Sequence, residues 1–310
     1  MDRAAPAQQQ CRAEQPDVSG TNREGMKPAQ HDERRLVWVT GAGGLIGSYL
    51  LQAAPQYASQ WRVRGLTHAE LDLADFPKVR DRFQVERPEV IIHCAALSKS
   101  PECQKNPGLA RKLNVEVSRV LAELALDIAL LFFSTDLVFD GKRGNYEEQD
   151  LPNPLSVYGE TKAEAESLVL ANPRHTVVRT SLNYGISPSG DRAFNELMAQ
   201  QWTRGQTTRL FSDEFRSPIA AEVTARAIWE LIGEKRTGLF HVAGSERLSR
   251  WEIGNLIATR YRGAAPRIEA TSIRDYQGEP RPADTSLNSA KAQAVLSFQI
   301  PRFAEWLANQ

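Results

Sequence analysis

The stretch Leu36-Val37-Trp38-Val39-Thr40-Gly41-Ala42-Gly43-Gly44-Leu45-Ile46-Gly47 decides how the chain is read. Its first four residues are an apolar run with β-branched members, the pattern of a buried strand. Glycines follow at once, with Gly41, Gly44 and Gly47 spaced three apart, and an apolar helix-like segment runs from Leu45 to Ala54. Such a loop must turn sharply, admit a phosphate close to the backbone and pack the helix on the strand, and each demand excludes a Cβ. The helix that follows offers free N–H groups and the positive end of its dipole to an anion. A plain glycine-rich turn is the competing reading, and the strand–loop–helix context weighs against it. Gly41, Gly43, Gly44, Leu45, Ile46 and Gly47 are therefore the expected seat of a dinucleotide pyrophosphate.

Working outward, apolar runs alternate with helical patterns. Strands are expected at Trp61–Leu66, Val90–Cys94, Ala129–Phe133 and Thr176–Arg179, and helices at Phe76–Glu86, Ala110–Ala125 and Glu160–Leu170. Strands alternating with helices imply βαβ units and a parallel sheet covered on both faces. The fold class is thus α/β, a doubly wound parallel sheet of Rossmann type. After about residue 180 the pattern loosens into short helices (193–201, 222–232, 250–258), a strand-like Leu239–Val242 and scattered prolines. This gives an expected division into a dinucleotide-binding domain (36–180) and a smaller α/β substrate-binding region (181–310). Residues 1–35, rich in Gln, Arg, Ala, Pro and Asp, are expected to form a disordered extension, with Met26 as an alternative start.

Composition narrows the function classes. Lys plus Arg equals Asp plus Glu at 38 each, so no basic excess calls for a nucleic acid and no acidic excess suggests a solvating tail. The expected partner is a small molecule, with a homodimer left open. No stretch approaches the ~18 apolar residues of a membrane span, and the N-terminus lacks the apolar core of a signal peptide. Three cysteines (Cys11, Cys94, Cys103) and five scattered histidines fit no metal-ligand spacing. A reducing, cytoplasmic setting without a metal is expected.

Tyr158-Gly159-Glu160-Thr161-Lys162 places a phenol and an ammonium four apart, on one face of a helix. A free tyrosine titrates near 10, and proton donation at neutral pH needs a lower value. Lys162 is the expected cation that lowers it, and it is also a candidate to hold ribose hydroxyls. Ser134 and Thr135 end a buried strand, where α/β sheets bind ligands. There Thr135 can hydrogen-bond a substrate carbonyl, or simply cap the next turn. After the second strand the sequence reads Leu66-Thr67-His68, with Arg62 and Arg64 upstream. No carboxylate is evident there to favour NAD, so NADP, or use of either NADP or NAD, is expected.

Together these pieces resemble the extended short-chain dehydrogenase/reductase superfamily over roughly residues 36 to 300, and the finer pattern resembles the dTDP-4-dehydrorhamnose reductase family. The matching stretches are Glu70–Asp75, His93-Cys94-Ala95-Ala96, Ser134–Gly141, Tyr158–Lys162, Arg179-Thr180-Ser181 through Tyr184-Gly185, Phe215-Arg216-Ser217-Pro218 and Arg281–Leu287. The resemblance implies that Asp72 and Leu73 flank an adenine and that Ala95 and Ala96 line the ribose and phosphate path. It makes Thr135, Tyr158 and Lys162 the catalytic group, and Ser134, Thr135, Val138, Arg216 and Arg281 the substrate contacts, the two arginines being suited to the substrate's diphosphate. The implied reaction is hydride transfer to the 4-keto group of a nucleotide-linked deoxy sugar. Leu137 stands where related dehydratases carry a Glu, which speaks against water elimination. Leu182 replaces a Trp that many rhamnose-pathway reductases place near the sugar. Two alternatives remain: a sugar-nucleotide epimerase, and a non-catalytic regulator like the regulatory subunit of methionine adenosyltransferase, which resembles the same family.

Overall fold

The computed structural model describes residues 1–2, 34–263 and 265–310, and Arg34–Gln310 form one compact unit. The expected disordered extension, with Met26, lies almost wholly outside the described residues. The strands are β1 (Arg35–Thr40), β2 (Trp61–Leu66), β3 (Val90–His93), β4 (Ala129–Thr135), β5 (Thr176–Thr180), β6 (Asn183–Tyr184), β7 (Thr207–Phe211), β8 (Phe215–Arg216), β9 (Ile219–Ala220), β10 (Gly238–Val242), β11 (Leu248–Ser249) and β12 (Arg267–Thr271). The α-helices are α1 (Leu45–Tyr57), α2 (Phe76–Glu86), α3 (Ser100–Lys105), α4 (Pro107–Arg111), α5 (Val117–Leu124), α6 (Val157–Leu170), α7 (Phe194–Thr203), α8 (Ala221–Gly233), α9 (Arg250–Ala258), α10 (Ala290–Gln293) and α11 (Phe303–Ala308).

Six strands form one parallel sheet in the order β10-β5-β4-β3-β1-β2. Side chains alternate across it, and each face is closed by helices. Val37, Val39, Ile92, Leu131, Phe133 and Val178 pack on α1 and α8; Leu36, Trp38, Ile91, Leu130, Phe132 and Val177 pack on α2, α5 and α6. Both faces are apolar because both are covered. Burial of each large side chain, such as Trp38 or Phe132, contributes on the order of 1.5–3 kcal/mol. The chain order reverses between β1 and β3, the switch point where open α/β sheets bind ligands.

The expected single helix over 110–125 is broken by a π-helical turn at Lys112–Glu116. Its centre, Asn114, is buried, and the Ser118 hydroxyl donates to the Asn114 carbonyl at 2.7 Å. The later chain does not stand apart from the sheet, since β10 adds its outer strand beside β5. Of the late elements, α8 packs on the sheet, whereas α7, β7, α9 and α11 bury their own cluster of Met198, Trp202, Leu210, Ile253, Ile257, Phe303 and Leu307.

Candidate active site

The glycine loop lies at the switch point. Gly41 adopts φ +69°, and a Cβ there would stand 2.7 Å from the Ala95 amide nitrogen. A Cβ on Gly47 would stand 2.3 Å from the Gly41 carbonyl oxygen, so loop, α1 and the residues after β3 meet as bare backbone. Gly44 immediately precedes α1, no side chain among the described residues caps the helix, and its first turn holds no acid. Its N–H groups are thereby left for an external acceptor. Leu45 is buried, Ile46 partly so and Gly43 exposed. Ala95 is half-buried and Ala96 exposed beside the loop. Asp72 is exposed, with its carboxylate accepting from the Ala74 amide at 2.9 Å, and Leu73 packs against the core.

At the end of β2 the structure corrects the sequence reading. A carboxylate is present: Glu70 folds back to accept from the Thr67 amide at 2.9 Å and the Thr67 hydroxyl at 2.8 Å. Those bonds hold it below the usual carboxylate range. Arg64 is paired with Glu86 at 3.0 Å. The acid escaped notice because it sits four residues past the strand and reaches back by a turn.

Asn114 was also missed. Its side chain accepts from the Leu97 amide at 2.8 Å and donates to the Leu97 carbonyl at 3.1 Å and to the Thr161 hydroxyl at 3.0 Å. One amide thus ties the chain after β3 to α6, next to Lys162. An Asn in the middle of an apolar helical pattern, where it is a weak helix former, was the available signal.

Ser156 caps α6 through the Gly159 amide at 3.3 Å. A Cβ on Gly159 would lie 2.3 Å from the Leu137 carbonyl oxygen, so this glycine lets α6 press against the turn after β4. That approach brings Tyr158 to Thr135. Thr135 both caps the turn, accepting from the Leu137 amide at 3.2 Å, and donates to Asp136 at 3.2 Å. Among the described residues the buried Ser134 hydroxyl has no hydrogen-bond partner.

Burial pushes the Tyr158 phenol up, and Cys103 and Asp136 add to this; the Thr135 hydroxyl and Arg216 pull it down. The largest cationic pull on the phenol comes from Arg216, where Lys162 was expected. Lys162 is itself pushed down to about 7 by burial, against the pull of Glu166. Its Nζ sits 3.9 Å from the Phe132 ring centroid and has no hydrogen-bond or ion-pair partner among the described residues. Glu166, one turn on, is held by Arg179 through Nε at 2.9 Å and Nη2 at 2.7 Å. His93 bonds Thr40 at 2.8 Å, and burial pushes it down to about 3, so it stays neutral.

Asp136 is fully buried and accepts from Arg216 Nε at 2.5 Å, from Arg216 Nη2, from Ser181 at 2.6 Å and from Thr285 at 3.3 Å. Arg216 is therefore no surface charge. Arg281 is bidentate on Glu214 at 2.7 and 3.1 Å. Val138, expected to face the substrate, has its side chain fully buried among Phe139, Tyr146, Ala243 and Leu287 and presents no surface to a ligand. Leu182 is partly buried against the late cluster. The widely separated stretches of the sequence reading do meet here. Phe215 donates to the Ala283 carbonyl at 2.7 Å, Tyr146 to Ser286 at 2.8 Å, and Leu287 to the Ser217 hydroxyl at 3.1 Å.

A glycine cradle, an uncapped helix start, a partnerless buried ammonium and an orphaned hydroxyl fit a nicotinamide dinucleotide. The fold and this site define a Rossmann-type dehydrogenase/reductase. The chain belongs to the family of the RmlD substrate binding domain, which matches residues 35–310. It is 30% identical over 290 residues to the probable low-salt glycan biosynthesis reductase Agl14 of Haloferax volcanii, covering 87% of this chain and 95% of that one. It is 28% identical over 277 residues to the methionine adenosyltransferase 2 subunit beta of Xenopus laevis, covering 84% and 82%. Among solved structures it superposes on the dTDP-4-dehydrorhamnose reductase of Bacillus anthracis in complex with NADP, with a TM-score of 0.82, 25% identity and coverage of 89% and 98%.

Proposed function

We propose that the protein reduces the 4-keto group of a nucleotide-linked deoxy sugar with NADH or NADPH. The observation that carries this reading is the Thr135–Tyr158–Lys162 group at the ends of β4 and α6, beside the glycine cradle. The bound nicotinamide supplies the hydride. Thr135 turns its single O–H from Asp136 to the substrate carbonyl and polarises it, while its oxygen keeps the bond from the Leu137 amide, which sets its orientation. Tyr158 gives its phenolic proton to the oxygen as charge develops there. Lys162, lacking a protein acceptor, holds the ribose hydroxyls. Gly41, Gly43, Gly44, Leu45, Ile46 and Gly47 meet the pyrophosphate, Asp72 and Leu73 flank the adenine, and Ala95 and Ala96 line the path between.

On this reading residues 36–180 serve the cofactor and 181–310 the substrate, a division of labour within one sheet. The setting is cytoplasmic; among the described residues no helix is long and apolar enough to cross a membrane. The test follows nicotinamide absorbance with a dTDP-4-keto-6-deoxy sugar and NADPH, then NADH. Oxidation is expected in the wild type and a loss of 10²-fold or more, on the order of general-acid catalysis, in Tyr158→Phe. Tight cofactor binding without oxidation refutes the reductase reading. The relationship to the methionine adenosyltransferase subunit favours a regulatory role in that event, and recovery of a stoichiometric partner enzyme checks it.

A further inference from the structure

Four arginines gather where β8 pairs with β11, and three are already engaged. Arg247 lies over the Phe215 ring at 3.5 Å and is committed to Asp284 at 2.5 Å. Arg216 is committed to Asp136, with Nη1 3.5 Å from Glu214, and Arg281 is committed to Glu214 and, at 3.4 Å, Glu279. The fourth is Arg250. The pairing of Ser249 with Phe215 and of Leu248 with Arg216 brings it alongside, and its amide donates to the Glu214 carbonyl at 2.9 Å. Its guanidinium, half-buried, lies 5.3 Å from the Phe194 ring centroid. Among the described residues that guanidinium has no hydrogen-bond or ion-pair partner. The nearest acid in sequence, Glu252, is spent on the capping box with Ser249 at 2.7 and 3.1 Å. Burial pushes Arg250 down to about 10, with Arg216 and Arg281 adding to this and the nearby but unbonded Glu214 carboxylate opposing it. A half-buried guanidinium crowded by two other cations and bonded to no acid is under-compensated charge, and an arriving dianion relieves it.

We propose that Arg250 binds the diphosphate of the nucleotide-linked substrate, an inference that rests on the reductase reading. It transfers to Arg250 the role that the sequence suggested for Arg216 and Arg281, whose forks are filled by protein carboxylates. Asp136 joins this subsite to the reaction centre, since it bonds both Arg216 and Thr135.

Calorimetric titration of NADPH-saturated protein with dTDP, thymidine and inorganic pyrophosphate tests this without a sugar. Arg250→Gln is expected to weaken dTDP and pyrophosphate about 10- to 100-fold, the usual range for one charged hydrogen-bonding group. Thymidine and NADPH should bind it as they bind the wild type, and Arg250→Lys should recover part of the loss. Equal dTDP affinity in Arg250→Gln, or wild-type protein that binds dTDP no tighter than thymidine, overturns the inference. With the keto sugar, Arg250→Gln should raise KM more than it lowers kcat. Should the wild type reduce no sugar while Arg250→Gln still loses dTDP, the reductase reading fails and the subsite stands. Should reduction proceed with an unaltered KM in the variant, the subsite fails alone.

Discussion

Replacing Lys162 with Met probes the energetic side of the site. Lys162 is 3% exposed, and its ammonium faces an aromatic ring and has no acceptor of its own among the described residues. Its pKa falls from 10.5 to about 7. At 1.36 kcal/mol per unit this charge opposes folding by up to about 4–5 kcal/mol at acid pH. The sign follows from proton counts. Below pH 7 both folded and unfolded states carry the proton and the cost is fully present. Between pH 7 and 10.5 only the unfolded chain holds it, so stability rises with pH across that window. From pH 7 to 9 the rise is about 2 kcal/mol. Met keeps the length of the chain without the charge, so Lys162→Met should be more stable than wild type at pH 6, by about 1–3 kcal/mol once lost attraction to Glu166 is included. The advantage should shrink toward pH 9, while reduction is lost. Urea unfolding at pH 6, 7, 8 and 9 measures this directly. A variant less stable than wild type at pH 6, with the same pH slope, would refute the reasoning.

Further outcomes follow from the geometry. Asp136→Asn leaves Arg216 buried without its carboxylate and should cost about 3–5 kcal/mol in urea unfolding; a change under 1 kcal/mol would show that the pair is not held as described. Gly41→Ala meets both a left-handed φ and the Ala95 amide at 2.7 Å, so NADPH should bind at least ~10-fold more weakly by fluorescence titration, with some loss of stability of about 1–3 kcal/mol. Glu70→Gln removes the negative charge at the end of β2, and the ratio of NADPH to NADH in kcat/KM should rise. An unchanged ratio would place that carboxylate away from the ribose.

Much of the fold was legible because a parallel sheet writes itself as continuous apolar runs. The strands at 61–66 and 176–180 and the helices at 76–86 and 250–258 fall within a residue of expectation. The helix over 110–125 was misjudged because hydrophobic periodicity does not register a single extra residue in a turn, and only Asn114 hinted at it. The glycine cradle and the four-residue step from Tyr158 to Lys162 are local, so spacing exposes them. The Asp136–Arg216 pair bridges 80 residues and the Thr285 contact 149, and no local pattern encodes either. Arg216 and Arg281 therefore passed for free phosphate ligands, and the partnerless Arg250, an unremarkable helix residue in sequence, went unnoticed. Val138 lies within a matching stretch yet turns into the core, since a motif fixes a backbone path and not each side chain's direction.

The most direct measurement is the fate of the hydride. The protein is incubated with a dTDP-4-keto-6-deoxy sugar and nicotinamide cofactor deuterated at C4, and the product is followed by proton NMR. Stoichiometric cofactor oxidation, with deuterium at sugar C4 and none formed by Tyr158→Phe, is the predicted result. Interconversion of sugars without net cofactor oxidation, or an unlabelled C4, would contradict it.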